Sequence, residues 1–328
     1  MKLPIALTAG EPSGIGPEIT LEAWHQLHRE LVFFVIADRR QFPAADGNPR
    51  ICEIAEPDQA AAAMRHGLPL LHLPFPMISP AGRPDSVNAP SILACIELAV
   101  EFALKGRVSA ICTNPVSKFQ LKRGAGFDFP GQTEFLASLC KVRHAVMLLA
   151  GNELRVVPVT THVPLSEVPA VLTQRLITES AEILHAALVA DFGIDSPRIA
   201  VAGLNPHAGE SGSFGTEEQE LIMPALQQLR LSGMNVAGPY SADSMFHTKA
   251  RAAYDAALCM YHDQALIPLK TLVFYGSVNV TLGIPLIRTS PDHGTGFDIA
   301  GKGVARADSL ISALRLAAGI ASRHGVSA

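Results

Sequence analysis

Charge is sparse in this chain of 328 residues: Asp, Glu, Lys and Arg make up 17% of it, the net charge is −4, and neither end carries a basic tail. That excludes an electrostatic grip on a nucleic-acid backbone or on anionic lipid. Cysteine is equally scarce. Cys52, Cys95, Cys112, Cys140 and Cys259 are odd in number, scattered mostly through apolar runs and without a CxxC pair, so they read as buried free thiols of a reducing compartment. The amino terminus, MKLPIALTAGEPSG, has an apolar run too short for a signal peptide. Thr271 to Ile287 is uncharged, but Gly276, Asn279, Gly283 and Pro285 interrupt it, which excludes a membrane span. A cytoplasmic protein with neither nucleic-acid nor membrane partners is expected. The chain also lacks internal repeats, low-complexity segments, the glycine fingerprint of dinucleotide-binding folds and the lysine of a P-loop.

What is present is an ample core, 48% hydrophobic, in a length that suits two domains or one large one. Short apolar runs alternate with amphipathic stretches. The expected strands are Ile5–Thr8, Leu31–Ile36, Leu68–Leu73, Ala110–Thr113, Val146–Leu149, Val156–Thr160, Ile199–Ala202, Ala257–Met260 and Val278–Thr281. Several are apolar throughout, as strands covered on both faces are. Helices are expected over Gly16–Leu27, Ser91–Lys105, Thr133–Leu139, Leu176–Phe192, Thr216–Leu231 and Ser309–Ala321, with a loop between Pro74 and Pro90. This rhythm predicts an α/β fold, a sheet with helices on both faces and function at the carboxyl ends of the strands.

One stretch sets polar groups into an apolar background. Between Cys259 and Arg288 stand His262, Asp263, Lys270, Asn279 and Arg288, and polar groups kept among buried strands need partners. Lys270 and Arg288 can hold an anion with Asn279 adding a neutral hydrogen bond, while His262 beside a carboxylate can ligate a metal or move a proton. His162 and His207 stand, like His262, just past an apolar strand, where each is expected at a turn. Three imidazoles so placed can converge on one divalent ion, although each alone reads first as a hydrogen-bonded structural histidine.

The remaining motifs carry two readings each. GEPSGIGPEI, Gly10 to Ile19, is either an anion-binding loop at a helix start or a tight structural turn. In TNPVSK, Lys118 either reaches a phosphate or is a solvated lysine, and in GQTEFLA, Thr133 behind Gln132 either touches ligand or caps a helix. Arg288 to Ala305 shows no obvious strand. Its Asp292, His293, Thr295 and Asp298 either hydrogen-bond a nucleotide or belong to a surface loop.

Taken in order, GEPSGIGPEI, TNPVSK, GQTEFLA, TTHVPL, GLNPHAGE with FGTEE, GPYSAD, MYHDQALIPLK, VNVTLG and RTSPDHGTGFDIAGKG resemble the 4-hydroxythreonine-4-phosphate dehydrogenase family of vitamin B6 biosynthesis, nearly end to end. The resemblance implies a two-domain α/β/α fold like that of isocitrate and isopropylmalate dehydrogenases, a homodimer, and an active site in the inter-domain cleft at the dimer interface. It implies domains at 1–131 with 276–328, on the cofactor side, and at 132–275, carrying the metal ligands. It assigns His162, His207 and His262 to a divalent metal (zinc, magnesium or cobalt), one of them supplied across the interface. Gln132, Thr133, Lys270, Asn279 and Arg288 fall to the substrate, and NAD or NADP to the segment holding Asp292, His293, Thr295 and Asp298. Asp243 or Asp263 would be the base, or would orient a ligand histidine.

Gln132 stands where that family usually has histidine. Glutamine donates a hydrogen bond but carries no charge and relays no proton. The implied reaction is oxidation of 4-phosphohydroxy-L-threonine to 2-amino-3-oxo-4-phosphooxybutanoate, which decarboxylates. The family's other branches act on phosphorylated sugar acids such as threonate or erythronate 4-phosphate, and on aromatic cis-dihydrodiols. Lys270, Asn279 and Arg288 favour a phosphorylated substrate. A phosphate acyltransferase or a non-catalytic anion-binding protein are the readings from other classes.

Overall fold

Apolar runs become strands here wherever both faces of a sheet are covered. The computed structural model describes residues 3–326, and the chain divides into two units, Met1–Arg143 with Ile284–Ala328 and His144–Gly283.

The first unit begins with β1 (Ile5–Thr8), β2 (Phe33–Ala37), β3 (Ile51–Ile54), β4 (Leu68–His72) and β5 (Ala110–Thr113). They are joined in register such as Ile5 to Phe33 and Thr8 to Thr113, every pairing parallel. Strands β1, β2 and β5 are buried at every position, which is why their sequences do not alternate. Helix Ala89–Leu104 covers one face, burying Ile92, Cys95, Ile96 and Ala99 against Phe34, Ile36 and Ile111. By length and composition the stretch Ser86–Leu104 passes for a membrane span, but its apolar side is taken up by this core. Burying Ile92 or Ile96 contributes about 1.5–3 kcal/mol each.

The second unit holds β6 (Val146–Ala150), β7 (Arg155–Thr160), β8 (Arg198–Ala202), β9 (Asn235–Tyr240), β10 (Ala256–Tyr261) and β11 (Val278–Leu282). Their order is β11-β6-β7-β10-β8-β9. β6 runs antiparallel to both its neighbours, whereas β7, β10, β8 and β9 are parallel. The segments that leave β7, β10 and β8 therefore emerge at one end of the sheet, and they carry His162, His262 and His207 respectively. Helix Gln174–Ala190 covers part of this unit, and the helical stretch expected from Thr216 is interrupted: a π-helical turn, Glu218–Ile222, precedes the α-helix Met223–Leu231.

Back in the first unit, Arg288–Pro291 forms β12 beside β5, Arg288 opposite Ile111. The sequence shows no obvious strand there because the run is polar. Its polar groups are satisfied internally instead: Thr289 Oγ1 donates to the carbonyl of Ala313 at 2.9 Å in helix Asp308–Arg323. Domain edges also move from the expected 131/132 and 275/276. Phe135 and Leu136 of helix Gln132–Leu139 pack into the first unit's core, and β11 pairs along its whole length with β6. The strands β3 and β9 and the helix Lys118–Ala125 add elements absent from the periodicity reading.

Candidate active site

The strongest constellation is in the second unit. Thr160 of β7 lies opposite Tyr261 of β10, and the Thr160 hydroxyl donates to the Met260 carbonyl at 2.8 Å, tying the two strand ends together. His162 follows two residues after β7 and His262 directly after β10, and their ring centres lie 6.1 Å apart. Two imidazoles on one ion at ~2.0–2.1 Å from nitrogen to metal put their ring centres about 5–6 Å apart, so the pair lies just beyond the spacing of a shared divalent cation and a small side-chain shift would bring it within reach. His162 adopts a left-handed backbone, φ 44°, a conformation that costs a non-glycine residue about 1–3 kcal/mol and persists only where its surroundings impose it. His262 is not at a turn: it is the first residue of helix His262–Leu272. Its Nδ1 lies 2.7 Å from Asp263 Oδ1. A carboxylate only accepts, so the proton sits on Nδ1 and the Nε2 lone pair is left for a ligand. A cavity of about 530 Å³ is lined by both histidines with Thr160, Val163, Tyr261 and Asp263.

His207 is not part of that pair. Its ring lies 6.0 Å from Phe214, and among the described residues no three His, Cys, Asp or Glu side chains are gathered closely enough to hold a metal. The expected convergence of three imidazoles is therefore not formed within one chain. From His207 to Ser211 five consecutive residues, four of them not glycine, have φ between 39° and 77°. That left-handed turn sets the course of the loop leaving β8.

The other assigned residues of this unit occupy the following places. Lys270, on the same helix as His262, holds its ammonium 5.9 Å from the ring centre of Phe274. Asn279 is half-buried on β11. Asp243 lies in the first turn of the short helix Ala242–Met245 and accepts from the Ser241 hydroxyl.

In the first unit the organising group is Arg288, 2% exposed on β12. Its Nε and Nη2 donate to Thr113 Oγ1 at 3.2 and 2.7 Å, and Nη2 reaches Gln132 Oε1 at 3.4 Å. Burial pulls the guanidinium down to about 10, with Cys112 and Glu134 opposing, so it remains a cation at neutral pH. Gln132 also donates to the carbonyl of Asn114 at 3.3 Å, which binds the start of its helix to the end of β5. Thr133 is inside that helix, not its cap; Gly131 caps it. A buried oxygen of Glu134, Oε2, has no hydrogen-bond partner. Thr113 and Glu134 are members of this group that sequence reasoning missed, although both lie inside motifs it singled out.

GEPSGIGPEI is a tight turn in this structure. The Glu11 N–H donates to the Pro115 carbonyl at 2.9 Å, and a side chain on Gly10 (φ 72°) would sit 2.5 Å from that same oxygen, so only glycine permits the approach. Glu11 itself is 1% exposed. Burial pushes its carboxyl up, the Ser13 hydroxyl and N–H partly offsetting this. The loop packs on the segment expected to hold nucleotide: the Ile15 N–H donates to the Thr295 carbonyl at 2.9 Å. In that segment the Asp292 N–H donates to Ser309 Oγ at 2.9 Å, His293 Nδ1 lies 2.9 Å from the Gly294 carbonyl while its Nε2 is buried without a partner, and Asp298 is exposed. Lys118 donates to the Pro130 carbonyl at 2.8 Å.

The family model described as pyridoxal phosphate biosynthetic protein PdxA matches residues 30–317. A curated 4-hydroxythreonine-4-phosphate dehydrogenase of Caulobacter vibrioides is 49% identical over 332 residues, covering 98% of this chain and 99% of the relative. Among solved structures, a 4-hydroxythreonine-4-phosphate dehydrogenase from Klebsiella pneumoniae aligns with a TM-score of 0.85 at 36% identity, over 98% of each chain. A terephthalate 1,2-cis-dihydrodiol dehydrogenase from Burkholderia xenovorans LB400 aligns with a TM-score of 0.65 at 29% identity, over 96% of this chain and 97% of its own. With strand order, imidazole pair and buried arginine already in view, the extent of these matches leads to one conclusion: the chain belongs to the PdxA family.

Proposed function

We propose that the chain is an NAD(P)-dependent 4-hydroxythreonine-4-phosphate dehydrogenase, oxidising 4-phosphohydroxy-L-threonine to 2-amino-3-oxo-4-phosphooxybutanoate, which loses carbon dioxide to give 3-amino-2-oxopropyl phosphate. The observation that carries this reading is the near end-to-end identity with relatives so named. Five free cysteines accord with a cytoplasmic setting.

In this reading Arg288, Lys270 and Asn279 take the phosphorylated substrate. Arg288 is pre-positioned by Thr113, so little side-chain freedom is lost on binding. His162 and His262 hold a divalent cation, zinc, magnesium or cobalt, and His207 of a second copy completes the set in a homodimer. Asp263 fixes the His262 tautomer, which favours an orienting role over that of base. Asp243 is then the carboxylate left to receive the hydroxyl proton. Asp292, His293, Thr295 and Asp298 face the dinucleotide, and the unpartnered Nε2 of His293 suits a hydrogen bond to it. When bound, the cation polarises the reacting hydroxyl and later the ketone, and the oxidised nicotinamide accepts the hydride.

Gln132 accepts from Arg288 and donates to the Asn114 carbonyl, so a neutral amide does here what a histidine would do only in one tautomer. The experiment is a NAD(P)H absorbance assay on metal-reconstituted protein with 4-phosphohydroxy-L-threonine, threonate 4-phosphate and erythronate 4-phosphate. Reduction with the first alone, abolished by chelator, is expected. Turnover only with a sugar-acid phosphate would reassign the substrate, and full activity in chelator would remove the metal.

A further inference from the structure

Glu218 is a buried charged group whose burial is matched by a dense set of directed hydrogen bonds. It is 2% exposed, and its carboxylate accepts from three donors on the loop that leaves β8. Oε1 takes the backbone N–H groups of Leu204 and Asn205 at 2.8 and 2.7 Å, and Oε2 takes Asn205 Nδ2 at 3.0 Å. The same carboxylate fills the space where two side chains would otherwise point: a Cβ on Gly203 would lie 3.0 Å from Oε1, and one on Gly209 (φ 77°) would lie 2.6 Å from Oε2. So the loop closes around the carboxylate from both its entry and its apex.

That closure supports strain. His207, Ala208, Glu210 and Ser211 all have positive φ, at about 1–2 kcal/mol for each L-residue held left-handed. A surface loop does not keep four such residues without fixed neighbours. A buried carboxylate with three charge-assisted hydrogen bonds is the neighbour the structure supplies.

We propose that Glu218 is the positioning residue for His207: by holding Leu204, Asn205 and Gly209 it fixes the left-handed turn and thereby the direction in which the imidazole is presented. This rests on the reading of His207 as a metal ligand.

The test uses the full chain, cobalt(II) titration followed by visible absorption, and amide hydrogen exchange over residues 204–213. Glu218→Gln keeps the shape but offers Asn205 a donor where it needs an acceptor. Gly209→Ala disturbs the same contact without touching a charge. Both are expected to weaken cobalt binding about tenfold or more, to change the ligand-field spectrum, and to speed exchange in the loop while exchange in β7 and β10 stays slow. Glu220→Gln, an exposed glutamate on the same turn, is the matched charge control and is expected to behave as the parent. His207→Ala calibrates the readout. If it weakens binding while Glu218→Gln and Gly209→Ala bind and exchange like the parent, the positioning role is wrong and the metal reading stands. If His207→Ala binds cobalt as the parent does, the metal reading fails and this inference with it. Should Glu218→Gln not fold, Gly209→Ala decides alone.

Discussion

Replacing Arg288 with methionine separates what the fold needs from what the site needs. Arg288 is almost fully buried, and burial lowers its guanidinium from the ordinary 12.5 to about 10. A depressed basic group is a cost to the fold: at 1.36 kcal/mol per unit, carrying the cation inside costs on the order of 3 kcal/mol, present below pH 10 and relieved only as pH rises above it. Against this stand the hydrogen bonds to Thr113 and Gln132, each worth about 1.5–3 kcal/mol for a charged donor. The hydrogen bonds exceed that cost by at most about 3 kcal/mol, so Arg288→Met, which fills most of the volume, should lower unfolding free energy by no more than about 3 kcal/mol, at the low end of the usual 3–5 kcal/mol for breaking a buried ionic group. Catalysis should respond quite differently. Loss of a bidentate contact worth about 1.5–3 kcal/mol raises KM for the phosphorylated substrate roughly 10- to 150-fold and leaves KM for the dinucleotide within about twofold. Urea unfolding and steady-state kinetics measure the two. An equal rise in both KM values would show that the arginine serves the other ligand, and unfolding by more than about 4 kcal/mol would show that it is kept for the fold.

Asp263→Ala leaves His262 without its acceptor and should weaken cobalt(II) binding about 10- to 100-fold with little change in melting temperature; unchanged affinity would detach the carboxylate from the site. Asp38 gives a pH prediction. Burial alone would raise its carboxyl, but hydrogen bonds from Arg40 and from the Phe75 N–H outweigh this and hold it at about 2, below the ordinary 3.8. Its contribution is therefore complete above pH 4 and lost as pH falls through 2, so Asp38→Asn should cost about 1–2 kcal/mol at pH 7 and progressively less toward pH 2, read from melting curves. Burial pushes the thiols of Cys95, Cys112 and Cys259 up, so a thiol reagent should label Cys52 and Cys140 first and the other three only on unfolding, as peptide mass spectrometry would report.

The buried parallel strands were legible because their residues are apolar on both faces; Ile5–Thr8 and Ala110–Thr113 agree with the sequence reading to the residue. β12 was not, because Arg-Thr-Ser-Pro is polar and its burial depends on Thr113 and Ala313, far away in sequence. His262 carried the opposite lesson: Tyr261 and His262 end an apolar run, yet the helix that begins there contains Pro268, and that obscured its periodicity. The pairing of His162 with His262 was foreseeable from their place after strands, since neighbouring parallel strands end together. His207 follows an equally apolar strand, but left-handed backbone in non-glycine residues leaves no mark on composition, so the course of its loop could not be read beforehand. Glu218 stands in FGTEE beside Glu217 at the start of the expected helix Thr216–Leu231, where an acidic residue carries no sign of burial.

The π-helical turn from Glu218 to Ile222 inserts one residue into what would otherwise be a regular spiral. Each residue of an α-helix turns the chain by about 100°, so excising any one of Gln219, Glu220 or Leu221 would heal the irregularity, leave Met223–Leu231 seated as before, and rotate Glu218 away from Gly203 and Gly209. For this segment the most damaging lesion is thus a shortening of the chain that makes it more regular, and sequence length here is itself a constraint on the protein's evolution.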